Sequence, residues 1–281
     1  MEVVYVTGGT VGAGHLVRGV ALSRALARRG ASLRMLGPPL DFPIAHDVGY
    51  ESIAVEKALL GDASRVAESA LAKRLVALSP DVVVVDLFWA VAQEIVPLLH
   101  AEAWLLVRAA PDVWLEGPSG MPFRPERWAR VLGIEPIAAR GAREQIAPIV
   151  VASPDEVVPR DEVRCRFAVS ADDPLELVLH AGNPGELAAL RDLASPAARV
   201  LDLRNAAAPF PAAPWLPAAD RIVAAAGYNT FWESKLLGHH GRTHFVPFAR
   251  PIDDQARRIR ECEHVRITEN GADTLATMLV G

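Results

Sequence analysis

The sequence has little cysteine and no long apolar run. Its 281 residues include 2 cysteines, Cys165 and Cys262, which form neither a CxxC pair nor a disulfide framework, as is typical of a reducing compartment. The apolar runs near 82–85 and 90–99 are too short or too interrupted to span a bilayer, and no charged n-region precedes the first strand. We therefore expect a cytoplasmic protein without a signal peptide or a transmembrane segment, and peripheral association with the inner membrane face stays open.

The sequence also lacks an excess of basic charge. Lys and Arg total 29 against 34 acidic residues, a net charge of −5, and the basic residues are scattered along predicted helices. A phosphate-binding surface for nucleic acid is therefore not expected. Hydrophobic residues make up 51% of the chain and charged residues 22%, a balance that predicts a folded protein with a substantial core.

Short β-branched runs alternate with longer stretches rich in alanine and leucine, which predicts an α/β fold with parallel sheets. The predicted strands are 3–6, 33–36, 82–85, 104–107, 149–151, 175–179, 200–203, 222–225 and 244–246. The predicted helices are 16–29, 63–78, 93–99, 185–194, 229–237 and 255–262. A charged, proline-containing stretch at 153–172 interrupts the alternation. We therefore expect two Rossmann-like domains, 1–163 and 164–281.

A glycine-rich turn follows the first predicted strand, at residues 7–15. Its glycines allow close backbone approach, and the next helix N-terminus favours an anion. The order is G-x-x-G-x-G, no acidic residue ends the second strand, and the P-loop lysine is missing. These departures argue against dinucleotide-dependent dehydrogenases and P-loop nucleotide hydrolases.

His15 closes this turn at the start of a helix. The helix dipole disfavours the imidazolium form there, so His15 is expected to be neutral and able to act as a base. Arg18 lies three residues later on the same helical face and can meet an anionic group. Alternatively, both are ordinary residues of a helix start.

A second turn, 180–186, follows the first strand of the second half. Its backbone N–H groups and Asn183 can bind a diphosphate, although Pro184 removes one donor. A plain connection between a strand and a helix would use the same glycines.

A third turn contains Gly227, which permits a sharp bend before a helix predicted to begin near Asn229. Glu233 lies four residues after Asn229 and can accept hydrogen bonds from the two hydroxyls of a ribose. The spacing from Thr230 to Glu233 is also that of a capping box, in which the glutamate is occupied by a backbone N–H. Spacing alone leaves both interpretations open.

The fourth turn places Asp253, Asp254 and Gln255 where they can bind sugar hydroxyls, and Asp254 is equally a good candidate to cap the next helix. Asp86 and Arg108 each follow a strand of the first half and can bind a second substrate or pair with other charges. The aromatic residues Phe88, Trp89 and Trp114 are candidates for an acceptor cleft or for core packing. The histidines at 239, 240 and 244 fit a helix end better than a metal site, and no metal or cofactor is expected.

These motifs together resemble the two-domain GT-B nucleotide-sugar enzymes, particularly bacterial transferases similar to the N-acetylglucosaminyltransferase of peptidoglycan lipid synthesis. The resemblance rests on the Gly-Gly-Thr...Gly-His15 loop, the Gly-Tyr-Asn-Thr...Glu233 helix start and the Val-Pro...Asp-Gln255 segment, in this order. It implies a UDP-sugar as donor and substrate, an acceptor hydroxyl of unknown origin, and His15 at the reaction centre. The residues expected on the donor side are Gly14, Arg18, Asn183, Gly227, Asn229, Thr230, Glu233, Asp254 and Gln255. Asp86 and Arg108 are expected on the acceptor side.

Two features depart from those transferases. The chain is short, and His-Ala-Gly-Asn183-Pro stands where a Gly-Gly-Ser type of loop is common. The run from Gly12 to Arg18 looks equally like the nucleotide-sugar hydrolase of pseudaminic acid synthesis, in which the histidine serves an attacking water. A GT-B epimerase and a non-catalytic GT-B subunit are further alternatives, although a base facing a nucleotide cleft argues against the subunit.

Overall fold

The computed structural model describes residues 1–8, 14–40, 49–54, 63–111, 113–116, 121–137, 141–182, 184–205 and 207–281. Within these residues the strands form two sheets, and every pairing between them is parallel. The first sheet has the order β3-β2-β1-β4-β5-β6-β7 and the second has the order β11-β10-β8-β9. The predicted α/β class is therefore confirmed.

The strands of the first sheet are β1 (Glu2–Thr7), β2 (Ser32–Gly37), β3 (Tyr50–Ser52), β4 (Val82–Asp86), β5 (Glu102–Val107), β6 (Arg130–Gly133) and β7 (Glu144–Gln145). Those of the second sheet are β8 (Glu176–His180), β9 (Arg199–Asp202), β10 (Arg221–Ala225) and β11 (Thr243–Val246). The helices are α1 (Gly14–Ala27), α2 (Ala63–Val66), α3 (Ala70–Leu78), α4 (Trp89–Ile95), α5 (Val113–Glu116), α6 (Arg160–Arg166), α7 (Pro184–Asp192), α8 (Tyr228–Leu236), α9 (Gln255–Cys262) and α10 (Gly271–Val280).

The central strands are formed by apolar segments of the sequence that are buried. All five residues of β4 are buried, as expected for a strand that helices cover on both faces of a parallel sheet. Helix α1 packs closely on this sheet. A Cβ added to Gly19 of α1 would lie 2.6 Å from Met35 Sδ and 3.1 Å from Tyr5 Cε1, and both distances are shorter than an ordinary van der Waals contact. A side chain at this position would therefore have to displace Met35 and Tyr5 where α1 crosses β1 and β2.

Several predicted elements are wrong. Residues 149–151 are buried but form no strand, and the predicted helix 63–78 is two helices, because the Ser69 hydroxyl caps α3 by accepting from Ala72 N at 3.1 Å. α4 begins at Trp89, earlier than predicted. The sequence pattern also missed β3, β6, β7, α5, α6 and α10, most of which are short.

One buried apolar cluster spans the two halves. A single buried cluster joins residues of β1 and α1 to residues of α8 and α10. α10 packs against α1, and Arg28 of α1 forms an ion pair with Asp273 of α10 at 2.9 Å. The last helix therefore contacts the first half. The predicted boundary at residue 163 falls inside α6, between the two sheets, and it stays a proposal.

Candidate functional site

A cavity of about 530 Å³ lies where the carboxyl ends of the strands from the two sheets meet. The first half contributes residues after β1 and β5, including His15, Arg18 and Arg108. The second half contributes residues that follow β8, β10 and β11, including Glu233 and Arg250. Ligands of open parallel sheets bind beyond the carboxyl ends of the strands, so this cavity is the candidate site.

His15 is held by a buried carboxylate. Its Nδ1 lies 3.0 Å from Asp86 Oδ2, and Arg18 donates to the same carboxylate from Nε at 2.9 Å and from Nη2 at 3.2 Å. The Tyr5 hydroxyl donates to it as well. Asp86 is fully buried, so its acceptor capacity is used by the chain itself.

The charges around His15 fix its protonation. Burial raises the pKa of the Asp86 carboxyl, but Arg18 and His15 more than offset this effect and hold that pKa below its usual range. Burial also lowers the pKa of His15, so the ring is neutral at physiological pH. Arg18 Nη2 also lies 3.1 Å from His15 Nδ1, but this nitrogen donates to Asp86 Oδ1 at 3.2 Å. The carboxylate can only accept, so Nδ1 carries the ring proton and Nε2 is the unprotonated nitrogen, as a base requires. This tautomer is inferred from the hydrogen bonds.

The local backbone aims Asp86 at this cluster. Thr7 and Asp86 are neighbours in register at the ends of β1 and β4. The next residue, Leu87, is buried with φ of 63°, a left-handed conformation that is uncommon for a leucine. The chain turns sharply there, directly after the carboxylate that holds His15.

Arg18 and Asn229 join the two halves beside the cavity. Arg18 Nη1 donates to Asn229 Oδ1 at 3.3 Å, and Asn229 Nδ2 donates to the carbonyl of Gly14 at 3.0 Å. The Arg18 guanidinium also lies 4.9 Å from the centre of the Tyr228 ring. Gly14, Arg18 and Asn229, all expected on the donor side, are thus brought together at the cavity wall.

A second buried network of charges crosses between the halves. Arg258 of α9 donates to Glu135 from Nε at 2.7 Å and from Nη2 at 2.9 Å, and to Asp253 from Nη2 at 2.7 Å. Arg108 pairs with the same Asp253, and Trp232 donates to Glu135 at 2.9 Å. Burial raises the pKa values of Glu135 and Asp253, but the adjacent arginines outweigh it and keep both carboxyls ionised. Glu135 and Arg258 were missed from the sequence, because an isolated glutamate and a helical arginine carry no motif.

Glu233 has a different environment. Its side chain lines the cavity, is 5% exposed, and has no hydrogen-bond or ion-pair partner among the described residues. Burial raises the pKa of this carboxyl to about 8. An unpartnered buried carboxyl is costly, so its position is explained best by a ligand that supplies hydrogen bonds.

The capping-box interpretation of Glu233 is wrong. α8 begins at Tyr228 with Gly227 as its N-cap, and Glu233 makes no bond to the backbone of Thr230. Gly227 has φ of −60°, so no positive φ requires glycine there; an added Cβ would meet open space. The first bond within α8 runs from Phe231 N to Gly227 O at 3.0 Å, so the earlier N–H groups of this turn, at the cavity, are the donors of a helix N-terminus.

The residues of the fourth turn have different roles in the structure. Asp254 caps α9 by accepting from Arg257 N at 3.0 Å and is not among the described residues that line the cavity, so we no longer expect it at the donor sugar. Gln255 lines the cavity, accepts from Phe248 N at 3.0 Å and donates to Asp253 at 3.2 Å. Thr230 also lines the cavity. Asn183 and residues 9–13 of the glycine-rich turn lie outside the described residues.

Asp86 and Arg108 were both expected on the acceptor side, and the expectation for Asp86 is wrong. Asp86 does not reach a second substrate, because Tyr5, His15 and Arg18 take its oxygens. Arg108 lines the cavity and pairs with Asp253 of the other half, and its place on the acceptor side stays a prediction. Trp89 is a core residue, 1% exposed, and packs edge-on against Trp114 with their ring centres 5.8 Å apart.

The three histidines after α8 do not converge on one point. His239 is fully buried and His240 bonds to Ser234 and Glu263, whereas His244 is exposed. Among the described residues no three potential metal ligands are grouped together. No helix in the described parts of the chain is long and apolar enough to cross a bilayer.

Comparison with known proteins identifies the fold. No protein-family model matches the sequence, and no curated protein is significantly similar to it. Solved structures do match, and over the whole chain. The glycosyltransferase SsfS6 from Streptomyces sp. SF2575 has a TM-score of 0.57 at 17% identity, over 100% of this chain and 91% of its own. The spinosyn rhamnosyltransferase SpnG, in complex with thymidine diphosphate, has a TM-score of 0.58 at 19% identity, over 100% of this chain and 92% of its own.

MurG from Acinetobacter baumannii has a TM-score of 0.51 at 14% identity, over 100% of this chain and 91% of its own. These neighbours are GT-B glycosyltransferases, and they match both sheets of this protein. The chain has the GT-B fold, with two parallel α/β sheets that face one another across the cavity.

Proposed function

We propose that the protein is a glycosyltransferase that moves a sugar from a nucleoside diphosphate donor to an acceptor hydroxyl. The observation that carries this proposal is the pairing, at one cavity, of a neutral histidine held by Asp86 with an unpartnered buried carboxyl at Glu233. The first suits proton removal from an attacking hydroxyl, and the second suits the hydroxyls of a ribose.

In this mechanism His15 Nε2 takes the proton of the acceptor hydroxyl while the hydroxyl oxygen forms a bond to the anomeric carbon of the donor. The bond from that carbon to the diphosphate breaks, and the nucleoside diphosphate leaves with the electron pair. The N–H groups of the first turn of α8 stabilise its charge, without a metal ion in this role. Asp86 stabilises the imidazolium that His15 becomes.

Nucleotide binding tests the donor side of the proposal. UDP, TDP, GDP and representative UDP- and TDP-sugars are added at millimolar concentration, and the thermal midpoint is measured. We expect UDP or a UDP-sugar to raise it, because a ligand that binds only the folded state stabilises that state. The TDP compounds are included because SpnG is solved with thymidine diphosphate. If no nucleotide shifts the midpoint, the proposal is wrong.

A second measurement separates transfer from hydrolysis, the alternative left open by the sequence. The donor that binds is incubated with and without acceptor alcohols, and free sugar and nucleoside diphosphate are quantified. A transferase releases nucleoside diphosphate in step with a glycosylated acceptor. Release of free sugar at the same rate without acceptor would identify a hydrolase.

A further inference from the structure

Glu186 and Arg250 form an ion pair on the second-half side of the cavity. Glu186 lies in the first turn of α7 and Arg250 in the segment after β11, and Oε1 and Nη2 are 2.5 Å apart. Both side chains line the cavity. The sequence motifs gave neither residue a role.

The pair lies directly over the connection between β8 and α7. A Cβ added to Gly182 would overlap with Glu186 Oε2 and would lie 3.4 Å from Arg250 Nη2. α7 begins at Pro184, so the Glu186 carboxylate occupies the space at the N-terminus of its own helix. That is the position at which a helix favours a bound anion.

Arg250 is also the cavity arginine that can most easily change its partner. The side chains of Arg18 and Arg108 are 2% and 8% exposed and are held by the buried carboxylates Asp86 and Asp253. Arg250 is 28% exposed, although its partner Glu186 is 8% exposed. Arg250 can therefore turn toward a ligand with less loss of packing than Arg18 or Arg108.

Two independent observations indicate that the same cavity takes a ligand. Glu233 on α8 is nine-tenths buried, faces the cavity and has no partner among the described residues. Arg108, which also lines the cavity, has its Nε buried without a hydrogen-bond acceptor there. The helix N-terminus at α7 is therefore not the only feature that points to an occupant.

We propose that Glu186 is an internal competitor for the diphosphate of the donor. In the ligand-free protein its carboxylate neutralises Arg250 at the N-terminus of α7. When a nucleoside diphosphate binds, its phosphate oxygens displace the carboxylate and take over Arg250. This inference rests on the proposed function. It implies selection for ligands whose phosphate charge exceeds that of a carboxylate, and against nucleosides.

Calorimetry with Glu186→Gln and Arg250→Gln tests the proposal. The ligands are UDP, TDP, inorganic pyrophosphate and uridine. Hydrogen bonds to charged groups contribute about 1.5–3 kcal/mol, which corresponds to roughly 10- to 100-fold in Kd. We expect Glu186→Gln to bind pyrophosphate, and whichever of UDP and TDP the parent binds, about tenfold more tightly. We expect Arg250→Gln to bind the same ligands about 10- to 100-fold more weakly. Neither variant should change uridine binding.

Glu176→Gln is the matched control. Glu176 pairs with Arg221 at the amino ends of β8 and β10, the end of the same sheet opposite the cavity. This variant should bind each ligand as the parent does. Thermal denaturation of each variant shows whether it is folded, and if Arg250→Gln is not, the direction of change in Glu186→Gln decides alone.

Two results would overturn the inference, and they are distinguishable. If the parent binds a nucleoside diphosphate and folded Glu186→Gln binds it no more tightly, the ion pair is only structural and the proposed function stands. If neither the parent nor Glu186→Gln binds any nucleotide or pyrophosphate, the inference and the proposed function both fail.

Discussion

His15 and Asp86 form a buried hydrogen bond of 3.0 Å although 71 residues separate them in the chain. The contact exists because β1 and β4 are neighbours in the sheet: His15 begins the helix region after β1, and Asp86 is the last residue of β4. Arg18 and Tyr5 complete the surroundings of the carboxylate. Asp86 thus orients the proposed base and also balances a buried arginine.

Because Asp86 balances the charge of the buried Arg18, Asp86→Asn should strongly lower the free energy of unfolding. The amide leaves the buried guanidinium of Arg18 without its counter-charge, and breaking a buried pair in this way costs about 3–5 kcal/mol. His15→Asn leaves the pair of Arg18 and Asp86 intact and should cost much less. Urea denaturation of the two variants measures the difference. If Asp86→Asn lowered the free energy of unfolding by less than about 1 kcal/mol, Asp86 would not be the counter-charge that Arg18 requires.

A parallel prediction concerns Glu135 and Arg258, which join the two halves. Both side chains are fully buried, so Glu135→Gln should lower the free energy of unfolding by about 3–5 kcal/mol. Glu144→Gln is the control, because Glu144 pairs with Arg130 on the surface, where such pairs contribute about 0–1 kcal/mol. Equal effects of the two substitutions in urea denaturation would show that the buried network does not hold the halves together.

Glu233 predicts a dependence of stability on pH. Its pKa is raised by burial to about 8 from an ordinary value of 4.5. Between these two values the folded protein retains a proton that the unfolded chain loses, so its stability falls as the pH rises through this window. Glu233→Gln removes the effect. The melting temperature of Glu233→Gln minus that of the parent should therefore be larger at pH 8 than at pH 5. An equal difference at the two pH values would contradict a raised pKa for Glu233.

The same carboxyl predicts a proton release on nucleotide binding. Ribose hydroxyls donate to an ionised carboxylate, so the bound nucleotide should lower the pKa of Glu233 and expel its proton near neutral pH. Calorimetry of UDP binding in buffers of different ionisation enthalpy measures that proton. Glu233→Gln should bind more weakly and release none. Equal affinity and equal proton release in both proteins would place the ribose elsewhere.

The strands of the sheet centres could be predicted because they are buried on both faces and read as continuous apolar runs, as in β4. The turns after β1 and β10 were recognisable for a similar local reason: glycines and a helix start follow a strand directly. Short edge strands such as β7, with 2 exposed residues, carry no such pattern.

The partners of the site residues could not be predicted, because they come from distant parts of the chain. The position of Asp86 after a strand is compatible with binding a second substrate or with pairing to other charges, and only the structure shows that it holds His15 and Arg18. The spacing of Thr230 and Glu233 fits a capping box, but α8 begins earlier, at Tyr228, and leaves the glutamate in the cavity. Tertiary placement, not local propensity, decided both outcomes.

The most direct test of the account is the turnover of the donor sugar by His15→Asn. The parent and the variant are incubated with the nucleotide-sugar that binds and a panel of acceptor alcohols, and nucleoside diphosphate release is followed. Donor affinity is measured by calorimetry alongside. Loss of a general base costs about 10²–10⁴-fold in rate, so the variant should be slower by that factor while its donor Kd stays near the parental value. Near-parental turnover in His15→Asn would contradict the claim that His15 is the base.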